Sequence, residues 1–391
     1  MIFLDAAATT PVRPEALQAA WPHLTGLSGN PSSVHEPGLA AAGALAAARA
    51  GVARFLGCRP GEVVFTSGGT EGANVAIKGL ALANPRGRQV VTSRLEHEAV
   101  LQSADYLRRV HGFAVDYVEP DADGLVDPAA LRRALRSDTT LVTIGFANNE
   151  VGTVQDIGAL AAVAHGVGAL FHTDAVQAAP ELPIDVAALG VDALSFSGHK
   201  LGAPQGSGAV FVRGRLALEP LLHGGGQERG RRSGTENVAW AVALQTACAL
   251  TAGEFAAQAR RADAIPVGAA SRDGFIAAVL AAVPGAALTG HPSRRLARHA
   301  SFVVPGVNGE TVLLELERRG VIASSGSACA AGSTEPSHVL TALGYDEDAA
   351  RTALRFSWTA DTGDRELALA ADAVREAVAA VRGHSAQGLP R

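Results

Sequence analysis

The chain has 391 residues, which is too long for one small core and fits a large domain with a smaller one. Hydrophobic residues make up 48% and charged residues 18%, so the composition is globular and excludes a disordered chain. The net charge of −5 comes from 33 basic and 38 acidic residues mixed along the chain, which argues against a nucleic-acid-binding surface. One short basic cluster, Arg229-Gly-Arg-Arg232, leaves a local nucleic-acid patch open as an alternative.

No membrane segment, secretion signal or disulfide framework is predicted. The nearly apolar run Phe275–Leu288 is interrupted by proline and glycine and is too short to span a bilayer. Asp5 falls where a signal peptide needs its apolar core. Cys58, Cys248 and Cys329 are far apart and odd in number, which is typical of a reducing compartment without structural disulfides or zinc. We therefore expect a soluble, cytoplasmic protein.

Short apolar runs alternate with helical stretches from Glu62 to Arg213. Seven of the runs are predicted strands: Glu62–Thr66, Gln89–Thr92, Ala114–Val118, Leu141–Phe146, Ala169–Thr173, Ala193–Ser197 and Gly208–Val212. Most are apolar almost throughout, which is typical of strands covered on both faces. Together with helices such as Glu71–Ala83 and Ile157–His165, they predict an α/β fold with a mostly parallel sheet between two helical layers.

The C-terminal part of the chain predicts a second, smaller α/β unit. The segment Leu244–Val283 is expected to be mainly helical and to carry a hinge. Beyond it, strands are predicted at Ala300–Val304, Val321–Ser324 and Arg355–Trp358, with helices between them.

A lysine at the end of a predicted strand is the first candidate for chemistry. Lys200 closes the run Ser195-Phe-Ser-Gly-His-Lys200 and is followed by a glycine-rich stretch. Ser197 and His199 can bind phosphate, and the glycines, Gly198 among them, let the backbone approach a ligand. This arrangement suits a lysine that forms a Schiff base, although a strand-end lysine is more commonly a solvated surface residue.

An aspartate follows another buried strand, 26 residues before Lys200. Asp174 could hold the proton of a pyridinium nitrogen, and Gln177 could donate a hydrogen bond to a ring phenolate. The alternative for Asp174 is a helix N-cap, which is a common role for aspartate after a strand.

Two further strand ends carry candidate ligand-binding residues. Thr66-Ser-Gly-Gly-Thr-Glu71 combines glycines with a helix start, and Gly69 and Thr70 there could donate to a phosphate, although many such turns bind nothing. His97 could stack on a pyridine ring and move protons near the reacting carbon, although a lone histidine is more often structural. The carboxyl ends of these strands share one edge of the predicted sheet, where open α/β sheets bind ligands.

Cys329 lies in a segment of small residues, 324–334, that has no packing pattern. The thiol has no apolar neighbours in sequence, which favours a mobile loop and an accessible sulfur over the usual buried cysteine. Cys58 and Cys248 lie in helical or helix-end contexts and are expected to be structural.

The sequence resembles the cysteine desulfurases of the fold-type I, class V aminotransferase group. The resemblance covers nearly the whole chain and depends on the joint order of many short motifs. They include Leu4-Asp-Ala-Ala-Ala-Thr-Thr-Pro11, Gly29-Asn-Pro-Ser-Ser-Val-His35, Thr66-Ser-Gly-Gly-Thr-Glu71, Glu96-His97, Asn148-Asn-Glu-Val-Gly152, Asp174-Ala-Val-Gln177, Ser197-Gly-His-Lys200, His223-Gly-Gly-Gly-Gln-Glu-Arg229, Arg232-Ser-Gly-Thr235, Ser324-Ser-Gly-Ser-Ala-Cys329 and Leu354-Arg-Phe-Ser357.

The resemblance implies pyridoxal 5′-phosphate (PLP) as cofactor, L-cysteine as substrate and a homodimer. Cofactor contacts would come from Gly69, Thr70, His97, Asn149, Asp174, Gln177, Ser197, Gly198, His199 and Lys200, with Thr235 reaching the phosphate of the other subunit. Asn149 and Arg355 would bind the substrate carboxylate, while Lys200, His97 and Cys329 would be catalytic. Cys329 would carry the sulfur as a persulfide to an acceptor such as an iron–sulfur scaffold. No resident metal is expected, but Cys329 could ligate an iron–sulfur cluster transiently.

The resemblance also implies a fold-type I architecture with a large cofactor domain, residues 15–255. Residues 1–14 and 256–391 would form the small domain that carries the catalytic cysteine. This chain departs from the family pattern at Ala6, where an aromatic residue, Asn or His is usual. A second departure is Gly202-Ala-Pro-Gln-Gly206, where Tyr-Gly-Pro-Lys-Gly is common.

Other functions remain open on the same scaffold. An aminotransferase would not need Cys329, whereas a selenocysteine lyase would share most of the site. A catalytically silent assembly or regulatory protein is a third alternative, and the complete set of candidate residues argues against it. The acceptor could belong to iron–sulfur cluster assembly, tRNA thiolation or another sulfur modification.

Overall fold

The structure is a computed structural model that describes residues 1–260, 268–326 and 336–386. Its helices are α1 Pro14–Thr25, α2 Glu36–Leu56, α3 Gly69–Ala83, α4 Glu98–His111, α5 Pro128–Ala134, α6 Ile157–Gly166, α7 Val186–Leu189, α8 Val238–Ala259, α9 Ala269–Ala282, α10 Gly309–Arg318, α11 His338–Ala342, α12 Glu347–Ala350 and α13 Asp364–Ala386. Its strands are β1 Ile2–Phe3, β2 Val63–Thr66, β3 Gln89–Ser93, β4 Ala114–Val118, β5 Leu141–Thr143, β6 Leu170–Asp174, β7 Ala193–Ser197, β8 Gly208–Val212, β9 Ala287–Leu288, β10 His299–Val303, β11 Val321–Ile322 and β12 Ala353–Ser357.

Side chains next to the helices fix many of the helix starts. A residue just before the helix accepts a hydrogen bond from a first-turn N–H group, which satisfies a donor that has no partner inside the helix. The residues that do so include His35, His97, Asp127, Asp156, Asp185, Asn237, Asn308, Ser337 and Asp346.

Seven strands form the large sheet, in the order β2-β8-β7-β6-β5-β3-β4. Strands β7, β6, β5, β3 and β4 are parallel, and β8 runs antiparallel between β2 and β7. Alternate residues face two separate cores: Leu194 and Phe211 lie in one, whereas Ala193 and Val210 lie in the other. Burial of both faces explains why these strands are apolar almost throughout, and the predicted mostly parallel sheet is confirmed.

The parallel strands bring their carboxyl ends to one edge of the sheet. Ser93, Asp174 and Ser197 are the last residues of β3, β6 and β7. Strand β5 ends at Thr143, three residues earlier than predicted. Gly145, two residues beyond that end, lines a cavity at this edge, so the backbone that was predicted as strand forms part of its wall.

A second core is built from both ends of the chain. Strands β12, β10 and β9 form an antiparallel sheet, and β1 pairs in parallel with β11. Helix α13 packs against α9 and α10. Leu4 is fully buried with Phe302 and Phe356 in this core, so the N-terminal residues belong to the same packed unit as the C-terminal ones. The predicted helical segment 244–283 forms the C-terminal part of α8 and then α9, and residues 261–267 lie outside the described chain.

Helices α2 and α8 are long and apolar enough to cross a membrane by length and composition alone. Neither helix was predicted from the sequence as a candidate membrane segment. They pack against each other, and α8 also packs against α1. Core helices of a folded domain pass the same length test, so this finding is weak evidence for a membrane.

The contact between β8 and the start of α3 gives a prediction about stability. An added Cβ at Gly208 would lie 2.6 Å from the Cα of Gly68 and under 3 Å from its backbone N and C, so Gly208→Ala must push two backbones apart. We expect a loss of about 1–3 kcal/mol in the free energy of unfolding, measured by urea titration.

Gly43→Ala is the matched control, because the added Cβ would lie more than 4 Å from every described atom outside the adjoining helix backbone, and the position is exposed in α2. It should raise the free energy of unfolding by about 0.5–1 kcal/mol. A Gly208→Ala variant as stable as the unchanged chain would contradict the close packing of β8 on Gly68.

Candidate active site

A cavity of about 330 Å³ lies at the carboxyl edge of the large sheet. Its wall is completed by the N-terminal segment and by β12 of the smaller sheet. Ten of the predicted site residues line it: Gly69, Thr70, His97, Asn149, Asp174, Gln177, Ser197, His199, Lys200 and Arg355. Gly198 is buried between two of these residues, in the turn that leads to Lys200.

Asp174 lies at the floor of this cavity, at the end of β6. One carboxylate oxygen accepts a hydrogen bond from the N–H of Val176, 2.9 Å away. No helix begins at Asp174, so the structure does not support the helix-cap alternative. Surrounding protein raises the pKa of the carboxyl group, and the nearby His97 and Lys200 side chains oppose that shift. An ionised Asp174 is therefore favoured by a positive partner in the cavity.

Lys200 contacts the N-terminal segment directly. Its ammonium group donates hydrogen bonds to the carbonyl oxygens of Ala7 and Ala8, the latter at 2.6 Å. The side-chain amide of Gln177 donates to the same oxygen of Ala7 at 3.0 Å. The backbone of Ala7 and Ala8 thus forms one wall of the site, and sequence analysis did not predict this role.

His97 begins α4 directly after the turn that follows β3. Its Nδ1 accepts a hydrogen bond from the N–H of Ala99 at 3.0 Å. Because this lone pair is used, the proton of the neutral ring is on Nε2. The helix cap therefore fixes both the position and the tautomer of a side chain that lines the cavity.

The start of α3 offers an anion-binding site beside these residues. Gly68 has φ +156°, and the helix begins at Gly69 without a side-chain cap from the described part of the chain. Thr70 and Ser197 supply hydroxyl groups at the same wall. Burial lowers the pKa of His199 to about 4, with Lys200 adding to the shift, so His199 is neutral at pH 7. Uncapped N–H groups, hydroxyls and the positive end of a helix together suit a phosphate.

Arg355 is almost fully buried on β12 and has several partners. One terminal nitrogen donates to Asp5 at 2.7 Å, and the other donates to the carbonyl oxygens of Asn149 and Gly326 at 3.0 and 3.2 Å. Its Nε is buried and has no hydrogen-bond partner among the described residues. A buried donor of this kind is typical of a side chain that completes its bonding with a ligand.

Thr235 lies away from this cavity. It lines a second cavity of about 290 Å³ with Ser67 and Trp240. The loop that leads to it is held by a buried pair between Arg49 and Glu228, with oxygen–nitrogen distances of 2.6 and 2.8 Å. Arg229 and Arg232 of the basic cluster donate to the carbonyl oxygen of Val63 and to the carboxylate of Glu71.

Of the three cysteines, the structure describes two. Cys248 is buried in α8, and Cys58 is partly buried after α2. Burial raises the pKa of the Cys58 thiol to about 12 and raises that of Cys248 as well, so both are poor nucleophiles at neutral pH. Cys329 lies outside the described residues.

Glu96 is a cavity residue that sequence analysis did not assign to the site. Its carboxyl oxygens accept hydrogen bonds from the Ser93 hydroxyl at 2.7 Å and from the N–H of Gly145 at 2.8 Å. Burial raises its pKa to about 8, and the Asp174 carboxylate adds to the shift. Two carboxyl groups therefore share the cavity wall, and Lys200 and His97 oppose the rise in pKa at Asp174 but not at Glu96. The sequence feature that could have identified Glu96 is its position in the turn after β3, next to the candidate residue His97.

Comparisons with known proteins agree with this geometry. The profile of the aminotransferase class-V family matches residues 2–367. The cysteine desulfurase IscS of Methanosarcina thermophila is 43% identical over 380 residues, which cover 96% of this chain and 92% of that protein. The chain belongs to the cysteine desulfurase branch of the class-V aminotransferases.

Similar solved structures support the same family assignment. A NifS-like protein superposes with a TM-score of 0.88 at 32% identity, covering 97% of this chain and 99% of its own. The protein SspA, in complex with cysteine, gives a TM-score of 0.78 at 35% identity over 91% of this chain and 98% of its own. The predicted desulfurase family, fold-type I architecture, enzyme class and PLP dependence are confirmed.

The residues of this desulfurase-family cavity fit PLP. The uncapped start of α3 suits the phosphate, and Lys200 supplies an amine in the same cavity. Asp174 is a buried carboxyl whose ionised form a cationic ring nitrogen would stabilise. The bound cofactor supplies an electron sink for a carbanion at the substrate α-carbon.

Glu96 gives a prediction about pH. The folded pKa of about 8 lies above the ordinary value of 4.5, so the folded state holds a proton that the unfolded state has lost between these pH values. Stability should therefore fall as pH rises from 5 to 8, by on the order of 1 kcal/mol for each pH unit. Glu96→Gln cannot ionise, so this slope should disappear, as measured by urea unfolding between pH 5 and 9.

Glu310→Gln, at an exposed position in α10, should keep the slope of the unchanged chain. Equal slopes for Glu96→Gln and the unchanged chain would show that Glu96 does not hold a proton in the folded state.

Proposed function

We propose that this protein takes sulfur from L-cysteine, releasing L-alanine and leaving a persulfide on Cys329. The observation that carries the proposal is the convergence of Lys200, Asp174, His97 and Arg355 on one cavity. Relatives that share about two-fifths of their residues with this chain are cysteine desulfurases, and the similar SspA structure contains cysteine.

Each residue of the cavity then has a chemical role. Lys200 would hold the cofactor covalently and move the substrate α-proton. Asp174 would keep the cofactor ring nitrogen protonated, and Gln177 would donate to the ring oxygen in place of the Ala7 carbonyl. His97 would contact the ring and pass the proton that its capped Nδ1 places on Nε2. The α3 start, with Gly69, Thr70, Ser197, Gly198 and His199, binds the phosphate.

The substrate carboxylate would bind to Arg355 and Asn149. The buried Nε of Arg355, which has no hydrogen-bond partner among the described residues, supports this role, since it can donate to a carboxylate while Asp5 holds the other end of the guanidinium. The Cys329 thiolate attacks the substrate sulfur and forms an S–S bond. The C–S bond breaks with its electrons going to carbon, and protonation of that carbon gives alanine.

The proposed function also implies a domain arrangement, a homodimer and a sulfur acceptor. We place the large cofactor domain at residues 15–255 and the small domain at residues 1–14 and 256–391, because β1 and Leu4 pack with the C-terminal core. Thr235 lies outside the cavity of its own chain, as a residue that serves the phosphate of a homodimer partner would. Sulfur would pass to an acceptor protein, such as an iron–sulfur scaffold or a tRNA-thiolating enzyme, in the cytoplasm.

The chain contains only two lysines, Lys78 and Lys200, which allows a direct test of the cofactor linkage. Borohydride reduction should fix the cofactor on the Lys200 peptide alone, as read by mass spectrometry. Lys200→Ala should reduce cysteine turnover by about 10²- to 10⁴-fold, because the covalent and proton-moving amine is lost.

Lys78→Ala is the matched control, because Lys78 lies on α3 and bonds Asn74, outside the cavity wall. Cofactor attached at Lys78, or normal alanine release by Lys200→Ala, would exclude the proposed function.

Arg355→Lys tests how the substrate is held. Lysine has no Nε–H that can bond the substrate carboxylate while two terminal nitrogens hold Asp5 and Asn149, so KM for cysteine should rise about 10- to 100-fold while the cofactor absorbance stays unchanged. Arg318→Lys, at an exposed ion pair in α10, should leave both unchanged. If Arg355→Lys lowers stability but leaves KM per folded enzyme unchanged, Arg355 is only the structural partner of Asp5.

A further inference from the structure

Residues on each side of segment 327–335 are bound to the wall of the cavity. On the N-terminal side, the backbone of Ser324 pairs with that of Arg355 through two hydrogen bonds of 3.2 and 2.6 Å. The side chain of Arg355 also donates to the carbonyl oxygen of Gly326 at 3.2 Å. Gly326, the last described residue before this segment, therefore lies directly beside the guanidinium proposed to bind the substrate carboxylate.

On the C-terminal side, Ser337 makes two buried hydrogen bonds. Its hydroxyl donates to the carboxylate of Glu150 at 2.5 Å and accepts from the N–H of Leu340 at 3.1 Å, which starts α11. The next residue, His338, contacts the carbonyl oxygen of Glu96 through Nε2 at 3.1 Å. Leu340 packs in a small core with Leu95, so α11 is fixed against the loop that carries Glu96 and His97.

The side chain of Glu150 is hydrogen-bonded on the C-terminal side of the segment and lies near its N-terminal side. Besides accepting from Ser337, its side chain lies 3.6 Å from the position of a Cβ on Gly326, a glycine with φ +93°. Its backbone N–H donates to the side chain of Asn148 at 2.8 Å. Glu150 is 5% exposed, and burial raises its pKa while His338, Arg355 and His97 oppose the shift.

No cofactor or substrate role has been given to this carboxyl group, and it does not line the cavity. Burying a carboxyl group is unfavourable unless its oxygens are hydrogen-bonded. Among the described residues, the carboxyl group of Glu150 accepts a hydrogen bond from Ser337, which is eight residues after Cys329 in the sequence.

We propose that Glu150 is a positioning residue for sulfur transfer, which anchors the C-terminal end of the segment that carries Cys329, while Arg355 holds the N-terminal end. This inference rests on the proposed role of Cys329. Glu150 acts through Ser337, so its loss should affect the step that uses the thiol and leave cofactor and substrate binding intact.

Two substrates distinguish the step that uses the Cys329 thiol from the binding of cofactor and substrate. L-Cysteine needs an acceptor thiol, whereas L-β-chloroalanine loses chloride and its α-proton without one and gives pyruvate and ammonia after hydrolysis. Glu150→Ala and Ser337→Ala should each lower kcat for cysteine about 10- to 100-fold, because small misplacements of a reacting group cost this much. KM for cysteine and the rate of chloroalanine elimination should stay within about twofold of the unchanged enzyme.

Glu150→Gln keeps an oxygen that can accept from Ser337 and should restore most of the cysteine turnover. Because Glu150 and Ser337 act in one contact, the double alanine variant should be no slower than the slower single variant. Ser337→Ala removes only a hydroxyl group, so it gives the same comparison if Glu150→Ala does not fold.

Cys329→Ser is the reference variant for the proposed function. It should lose cysteine turnover and keep chloroalanine elimination; if it keeps both, the thiol assignment is wrong, independently of Glu150. With that reference in place, two results would overturn the Glu150 proposal. One is unchanged cysteine turnover in both Glu150→Ala and Ser337→Ala, and the other is an equal loss on both substrates.

Discussion

The ionisation of Asp174 is the constraint on which the rest of the site depends. A carboxyl group surrounded by protein tends to remain protonated, and positive charge nearby is what keeps it ionised. The parallel sheet places the end of β6 next to the end of β7 and two strands away from the end of β3, and Lys200 and His97, which follow those ends, oppose the rise in the pKa of Asp174. Glu96 shares the same wall, and burial raises its pKa to about 8 without the opposition that Lys200 and His97 provide at Asp174.

The N-terminal segment joins the two halves of this site. Asp5 pairs with Arg355 of the smaller sheet, and the carbonyl oxygens of Ala7 and Ala8 accept from Lys200 at the edge of the large one. Thr10 then bonds to the backbone of His199. The substrate side and the cofactor side of the cavity are therefore connected through six residues of backbone, and the departure at Ala6 lies within them.

Much of the sheet and most of the cavity could be predicted from sequence, because parallel strands buried on both faces are apolar runs whose carboxyl ends meet at one edge. The pairs that sequence did not reveal join residues about 350 positions apart, as in Asp5 with Arg355. Strand β1 has two residues and no alternating pattern, so nothing local predicted its pairing with β11. The accessibility of Cys329 stays a prediction from the composition of its segment.

The pairing of β1 with β11 has a consequence during protein synthesis. Val321 is the register partner of Ile2, so 319 residues must be added before the first strand finds its neighbour. At about 5–20 residues per second, a ribosome needs roughly 16–64 s to do this. During that interval the large sheet can form. Strand β1 has no partner yet, so it cannot hold the backbone of Ala7 and Ala8 in place at the wall of the cavity. A nascent chain therefore completes its cavity only near the end of translation, because the wall also needs Arg355 of β12.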